Sequence, residues 1–300
     1  MLKPNYDGPM IDTHHHIWLR KDVTWLADPP IPRMFGDYFG IRRDYPVEEW
    51  MNDIVPEGAV KSVHVTAMWA PGRKLDETRW LQAVADKHGY PHGIVCNADL
   101  ADANAEAALK AQKQFPNVRG VRQMLYWDKE PVRQATSRPD FCNDPDFRRG
   151  FALLEKLDLH FELQVYAGQA KYAVELLKAF PNVRMILVHS GMLTARTPEA
   201  INEWRAALTA MAAYPNLHVK LSGLGMYSGG LTYPQARQVI RDVIQIFGVE
   251  RTIYGSNFPL EKLYTSYADF FGMYRQVMAE YTEAEQRAVF HDNAVKFYRL

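Results

Sequence analysis

Only two cysteines, Cys96 and Cys142, occur among the 300 residues. That is too few for a disulfide scaffold and suits a reducing compartment. A charge imbalance is also missing, because 35 Lys and Arg are offset by 35 Asp and Glu. Without a basic excess there is no electrostatic footprint for nucleic acid or for an anionic membrane surface. No run of about 18 apolar residues exists, and the opening MLKPNYDGPM has no apolar signal core. Low-complexity tracts are absent, the 18 prolines and 18 glycines being scattered. Gly-x-Gly-x-x-Gly, the P-loop and Gly-x-Ser-x-Gly are all lacking, which removes the usual signatures of dinucleotide binding, phosphate cradling and serine hydrolysis. What is expected is a soluble, cytoplasmic globular protein without nucleic-acid or membrane partners; a homo-oligomer stays open.

The apolar fraction of 47% supports a large core. Short strand-like runs alternate with longer amphipathic ones. The strands are expected at Met10–Ile17, Val60–Met68, His92–Ala98, Val118–Leu125, His160–Tyr166, Val183–His189, Leu217–Leu224 and Arg251–Ser256. Helical stretches include Asp76–His88, Asp102–Phe115, Pro145–Leu157, Gln169–Phe180, Pro198–Tyr214, Pro234–Phe247 and Tyr267–Tyr281. A Pro-Asn step recurs between helix and strand at Pro116-Asn117, Pro181-Asn182 and Pro215-Asn216. Proline stops the helix and asparagine is expected to supply a left-handed turn. Eight such units predict an α/β fold, a single-domain (β/α)8 TIM barrel over residues 1–300. An open doubly wound sheet is the runner-up, weakened by the missing glycine fingerprint. Two long connections, 18–46 and 125–143, leave the C-terminal ends of the first and fourth strands. In a barrel that face carries the active site, so both are expected to wall or cover it.

Asp12-Thr13-His14-His15-His16 closes the first strand. Alternation places Asp12, His14 and His16 on one face and His15 on the other, against a helix. Two imidazoles two residues apart on a strand, about 7 Å along the backbone, suit one divalent ion or one polarised oxygen.

At IDTHHHIW the chain resembles the amidohydrolase superfamily, in the branch of 2-pyrone-4,6-dicarboxylate lactonase and the sugar lactonases. The resemblance continues through GVRQ (120–123), LVHSG (187–191), VKLSGL (219–224), YGSNFP (254–259) and DNAVKFYRL (292–300), in family order. It implies a barrel hydrolase for a small, anionic cyclic ester. It also implies roles for His14, His16 and His189 in polarising a carbonyl, or as ligands where a metal is present. The cofactor is then either none or one divalent ion, zinc or manganese. Where the family carries a general-base aspartate on the eighth strand, this sequence has Asn257, which cannot accept a proton at neutral pH and is a poorer metal ligand. Strand four has no lysine and strand five no terminal histidine, which argues against a binuclear centre. Two rival readings are a metal-dependent decarboxylase of the same superfamily and a catalytically impaired barrel that binds its ligand.

His189 ends the apolar run Met185–Val188 and precedes a Ser-Gly turn, making it the leading proton acceptor in place of an aspartate, with Asp128 second. His160 and His218 begin their strands and belong to the opposite end of the barrel. Arg122 faces the interior near the end of strand four, where a guanidinium either grips a substrate carboxylate or pairs with Glu162 or Asp128. Gln164 and Tyr166 on strand five and Ser222 on strand seven are candidate substrate contacts. Glu162 and Lys220 are expected to neutralise each other. Trp18, Trp25 and Phe35 are the candidate aromatic walls of the first long connection.

Overall fold

The computed structural model describes residues 6–300. Its eight strands are β1 (Met10–His15), β2 (Ala59–Val65), β3 (Gly93–Asn97), β4 (Val118–Arg122), β5 (His160–Leu163), β6 (Met185–Leu187), β7 (Leu217–Leu221) and β8 (Thr252–Tyr254). They form one sheet in sequential order, every neighbouring pair parallel. His15 bridges in parallel to Phe258 just past β8, and the Asn257 N–H donates to the His14 carbonyl at 2.6 Å. First and last strands thereby meet, and the fold is a single-domain (β/α)8 barrel.

The helices are α1 (Val47–Ile54), α2 (Lys74–His88), α3 (Ala105–Lys113), α4 (Pro145–Phe151), α5 (Leu153–Lys156), α6 (Ala170–Ala179), α7 (Pro198–Ala212), α8 (Tyr233–Phe247), α9 (Tyr267–Met278), α10 (Glu283–Arg287) and α11 (Asn293–Tyr298). Helix α8 shows why they form. Ala236, Val239, Ile240, Val243, Ile244 and Phe247 recur at three- and four-residue spacing and are buried, and Thr232 with Gln235 makes a capping box. Helix α1 lies directly after the first long connection, where no helix was expected. Val47, Trp50 and Ile54 supply its buried side over only two turns. Among the described residues no helix is long and apolar enough to cross a membrane.

The Pro-Asn turns work differently from expectation. None of the three asparagines takes positive φ. Their side-chain amides reach across to neighbouring units instead: Asn117 to the Pro91 carbonyl at 2.9 Å, Asn216 to the Phe180 carbonyl at 3.0 Å, and Asn182 to Glu155 at 2.9 Å. A buried carbonyl needs a donor more than the chain needs a left-handed residue there.

Inside the barrel, Ile11, Val63, Val65, Val95, Ile186 and Ile253 form an inner cluster closed by Ala294, Phe297 and Tyr298. Helix α11 thus plugs the end at which the strands begin. His160 and His218 lie there, their rings 5.0 and 4.8 Å from that of Phe297. Above this floor the Lys220 ammonium pairs with Glu162 at 2.7 Å, with no exposure of either side chain. Lys220 also donates to the Thr13 carbonyl at 3.0 Å, and Tyr298 donates to Glu162 at 2.9 Å.

At the other end the strands stop earlier than the sequence pattern suggests. His16, Gln164–Tyr166, Val188–His189 and Ser222 all lie just past their ladders. These are the residues that turn away from sheet pairing to build the cavity and its support.

Candidate active site

The end of β1 is fixed from beneath. Asp12 accepts the Ser256 N–H at 2.8 Å and its hydroxyl at 2.6 Å, and the His14 N–H at 3.1 Å. Burial raises the Asp12 carboxyl to about 6 even though these donors oppose the shift. His15 points outward, stacks on Trp50 of α1 at 4.0 Å and meets the Ser62 hydroxyl at 3.0 Å.

His14, His16 and His189 come together. The His14 ring lies 4.6 Å from that of His189 and 5.2 Å from that of His16. His16 Nδ1 is 2.6 Å from the Val65 carbonyl. A carbonyl only accepts, so Nδ1 carries the proton and Nε2 presents a lone pair. His189 Nδ1 is 2.9 Å from the Ser222 hydroxyl, while both ring nitrogens of His14 are buried without a protein partner. Burial holds all three imidazoles neutral. His14 and His16 lie well below the ordinary histidine range and His189 is brought down to about 3; Lys220, Arg122 and the neighbouring histidines add to the effect.

A left-handed turn delivers His189. Residues His189, Ser190, Gly191 and Met192 all have φ between 51° and 73°. For non-glycine residues this costs about 1–2 kcal/mol each, and the surroundings hold it in place. Trp204 donates to the Ser190 carbonyl at 2.6 Å, and the Ser190 hydroxyl donates to the Lys220 carbonyl at 3.2 Å. Gly223 completes the seat, since a Cβ there would sit 2.5 Å from His189 Nδ1.

Over these rings lies a cavity of about 290 Å³ lined by His16, His189, Arg122, Gln164 and Asn257 among the polar groups. Trp25, Met34, Phe35, Trp69, Met124, Tyr126 and Met226 give it apolar walls. Arg122 is 3% exposed. Its Nη2 donates to the Thr66 carbonyl at 2.5 Å and its Nε has no partner. Neither Glu162 nor Asp128 pairs with it: Glu162 is spent on Lys220, and Asp128 caps its own turn at the Glu130 N–H. Burial brings the guanidinium down to about 10. Glu77 supports this arrangement by accepting from the Thr66 hydroxyl at 2.7 Å and the Ala67 N–H at 2.5 Å.

Several expected site residues stand elsewhere. Trp18 is fully buried behind His16, its indole donating to the Arg43 carbonyl at 2.8 Å, because its backbone pairs with Tyr45. It braces the first connection and does not line the cavity. Ser222 is a support for His189. Tyr166 bonds the Tyr227 hydroxyl at 2.9 Å and lines a neighbouring cavity of about 430 Å³, together with Trp127, Asp128 and Lys129 of the second long connection. Asp128 is therefore removed as a proton acceptor. Cavity residues that the sequence did not single out include Arg33 and Thr66. Arg33 sits in an irregular connection without periodicity, and Thr66 contributes a carbonyl, which no side-chain pattern reveals.

Three neutral imidazoles are suitable nitrogen ligands for a divalent ion, but Lys220 and Arg122 put positive charge beside them. Among the described residues no group of three or more His, Cys, Asp or Glu side chains is placed to hold a metal ion. The residues as arranged do not fit a resident metal.

A sequential barrel thus carries convergent histidines and a buried arginine at the C-terminal ends of its strands. The amidohydrolase family profile matches residues 11–300, and the chain belongs to the amidohydrolase family. It is 36% identical over 296 residues to uncharacterized protein y4mH of Sinorhizobium fredii, covering 98% of this chain and 99% of that one. It is 27% identical over 302 residues to the L-fucono-1,5-lactonase of Burkholderia ambifaria, covering 97% and 95%. Among solved structures, a Burkholderia multivorans amidohydrolase with bound zinc superposes with a TM-score of 0.82 at 26% identity, over 98% of this chain and 100% of that one.

Proposed function

We propose that this enzyme hydrolyses a small anionic lactone, with Arg122 holding the substrate's anion. The carrying observation is a buried guanidinium that faces the cavity and lacks a carboxylate partner. A charge so placed is costly unless something pairs with it, and a substrate carboxylate can do so in bidentate fashion. Arg33, lining the same cavity, adds a second cation.

The lactone carbonyl lies toward His189, whose ring N–H stabilises the developing oxyanion, with the His14 ring packed behind it. Asn257 orients a water. His16 Nε2, the lone pair fixed by the Val65 carbonyl, takes its proton as the new C–O bond forms. Collapse of the tetrahedral intermediate breaks the ring C–O bond, and His16 returns the proton to the departing alkoxide, releasing the hydroxy acid. Sequence pointed to His189 as proton acceptor; the defined tautomer makes His16 the better-placed base. Arg122 is among the groups holding His16 and His189 down. A bound anion neutralises it, so both imidazoles become more basic when the correct substrate arrives.

Measuring kcat/KM on paired lactones with and without a ring carboxylate tests this reading. The carboxylated member is expected to be the better substrate. Turnover of neither, alongside release of carbon dioxide from a hydroxybenzoate, would establish the decarboxylase instead.

A further inference from the structure

The turn after β8 brings a carboxyl group beneath Asn257. The Leu260 N–H donates to the Asn257 carbonyl at 2.9 Å and the Glu261 N–H to the same oxygen at 3.4 Å. The chain folds back, and Glu261 ends 1% exposed. Its Oε1 accepts the Gly225 N–H at 3.2 Å. Only glycine permits that approach, since a Cβ at 225 would stand 2.5 Å from Oε2. Oε2 itself has no hydrogen-bond partner. The Asn257 side-chain amide acts on this carboxyl, and its Nδ2 otherwise meets only Met226 Sδ, at 4.0 Å. The titratable groups that feel Glu261 are Tyr264 and Tyr274, both uncharged because burial holds their phenols high. No cation is among the groups acting on it. Asn257 lines the cavity and Glu261 does not.

We propose that Glu261 is a positioning residue that sets which end of the Asn257 amide faces the substrate. The inference rests on the reading of the cavity as the lactone site. A carboxylate only accepts, so it takes the Asn257 N–H and leaves Oδ1 toward the cavity, ready to accept from the attacking water. A carboxylic acid donates to Oδ1 and turns the amide N–H outward, toward a carbonyl or oxyanion. Burial pushes the Glu261 carboxyl up to about 8 against the opposing pull of Gly225, Asn257 and Met226. Both arrangements are thus populated near neutral pH, and the water-orienting one is the high-pH form.

Glu261→Gln keeps the shape and removes the ionisation. The wild-type pH profile of kcat/KM is expected to show an ionisation near the carboxyl's value of about 8 that Glu261→Gln lacks. Superimposable profiles would overturn the proposal. In an Asn257→Ala background, Glu261→Gln should change kcat less than twofold, because its effect travels through the amide; an undiminished effect overturns it. A readout free of turnover is the side-chain amide NMR signal of Asn257, assigned by its disappearance in Asn257→Ala. In the wild type it should titrate with the same midpoint and stay still in Glu261→Gln. A stationary wild-type signal refutes the proposal whatever the substrate. A titrating signal with no lactone turnover upholds the positioning role and sinks only the lactone reading.

Discussion

Replacing Arg122 with methionine separates a functional guanidinium from a structural one. Methionine fills similar volume without charge. In the wild type the guanidinium makes one hydrogen bond, to the Thr66 carbonyl at 2.5 Å, and no direct ion pair. Removing one partner of a buried, hydrogen-bonded charge pair costs about 2–5 kcal/mol. If that partner is the substrate anion, kcat/KM on a carboxylated lactone should fall by roughly 30- to 5,000-fold, at about 1.4 kcal/mol per decade. A neutral lactone should lose far less. Stability should move the other way. The folded protein is relieved of a desolvated charge, and exchanging such a group for an apolar one is neutral or stabilising by about 1–4 kcal/mol. Against this stands one orphaned carbonyl at about 1–3 kcal/mol. The thermal midpoint should therefore hold within a few degrees. The acid limb of kcat/KM should move to higher pH, because Arg122 is among the charges holding the His16 base down, and without it His16 becomes easier to protonate. Steady-state kinetics on the two lactones and a thermal melt decide the matter. A collapsed midpoint with turnover of the carboxylated lactone intact would refute the substrate-anion role.

Three further outcomes are expected. Asn257→Asp should lower kcat/KM on anionic lactones tenfold or more, about 1.4 kcal/mol, because its carboxylate would face both the substrate and Glu261; a rise would make 257 the position of a missing base. Deleting Pro30–Gly36 removes Arg33, Met34 and Phe35 from the cavity wall and should raise KM while circular dichroism stays native; unchanged kinetics would move this connection out of the site. Lys220→Met alone strands Glu162, whose carboxyl is held near 2 by Lys220 despite burial, and should cost about 3–5 kcal/mol in chemical denaturation. Glu162→Leu combined with Lys220→Met should recover most of that loss, and an equally unstable double variant would show that Tyr298 and Thr13 need the pair as well.

Regular periodicity decided what could be read in advance. Arg122 lies on a strand, and alternation alone turned it inward. His14 and His16 followed from the same rule, as did His15 on the opposite face; Asp12 did not, because the register slips between Asp12 and His15 and turns its carboxyl outward to the Tyr267 hydroxyl of α9 at 3.4 Å. Where the chain leaves the ladder, that rule stops. Trp18 and Trp25 stand in one aromatic connection, yet Trp18 is pinned by Tyr45 and Trp25 lines the cavity, because single helical turns at Arg20–Asp22 and Thr24–Leu26 redirect the chain between them. Tyr166 kept its strand-five phase in expectation but follows the strand's last paired residue, so its hydroxyl turns to Tyr227.

Glu261 had no signal at all: a glutamate seven residues past a strand reads as surface. Only the closure of the β7 loop, through Gly225, shows that it is buried. That closure also bears on the position at which this chain departs from the pattern the resemblance implies. A carboxylate at 257 would lie against a second buried carboxyl with no cation acting on it, and two such groups cannot both ionise. The amide can satisfy either protonation state of its neighbour. On the proposed reading, an amide at 257 suits this surrounding and leaves proton acceptance to the imidazoles on the far side of the cavity.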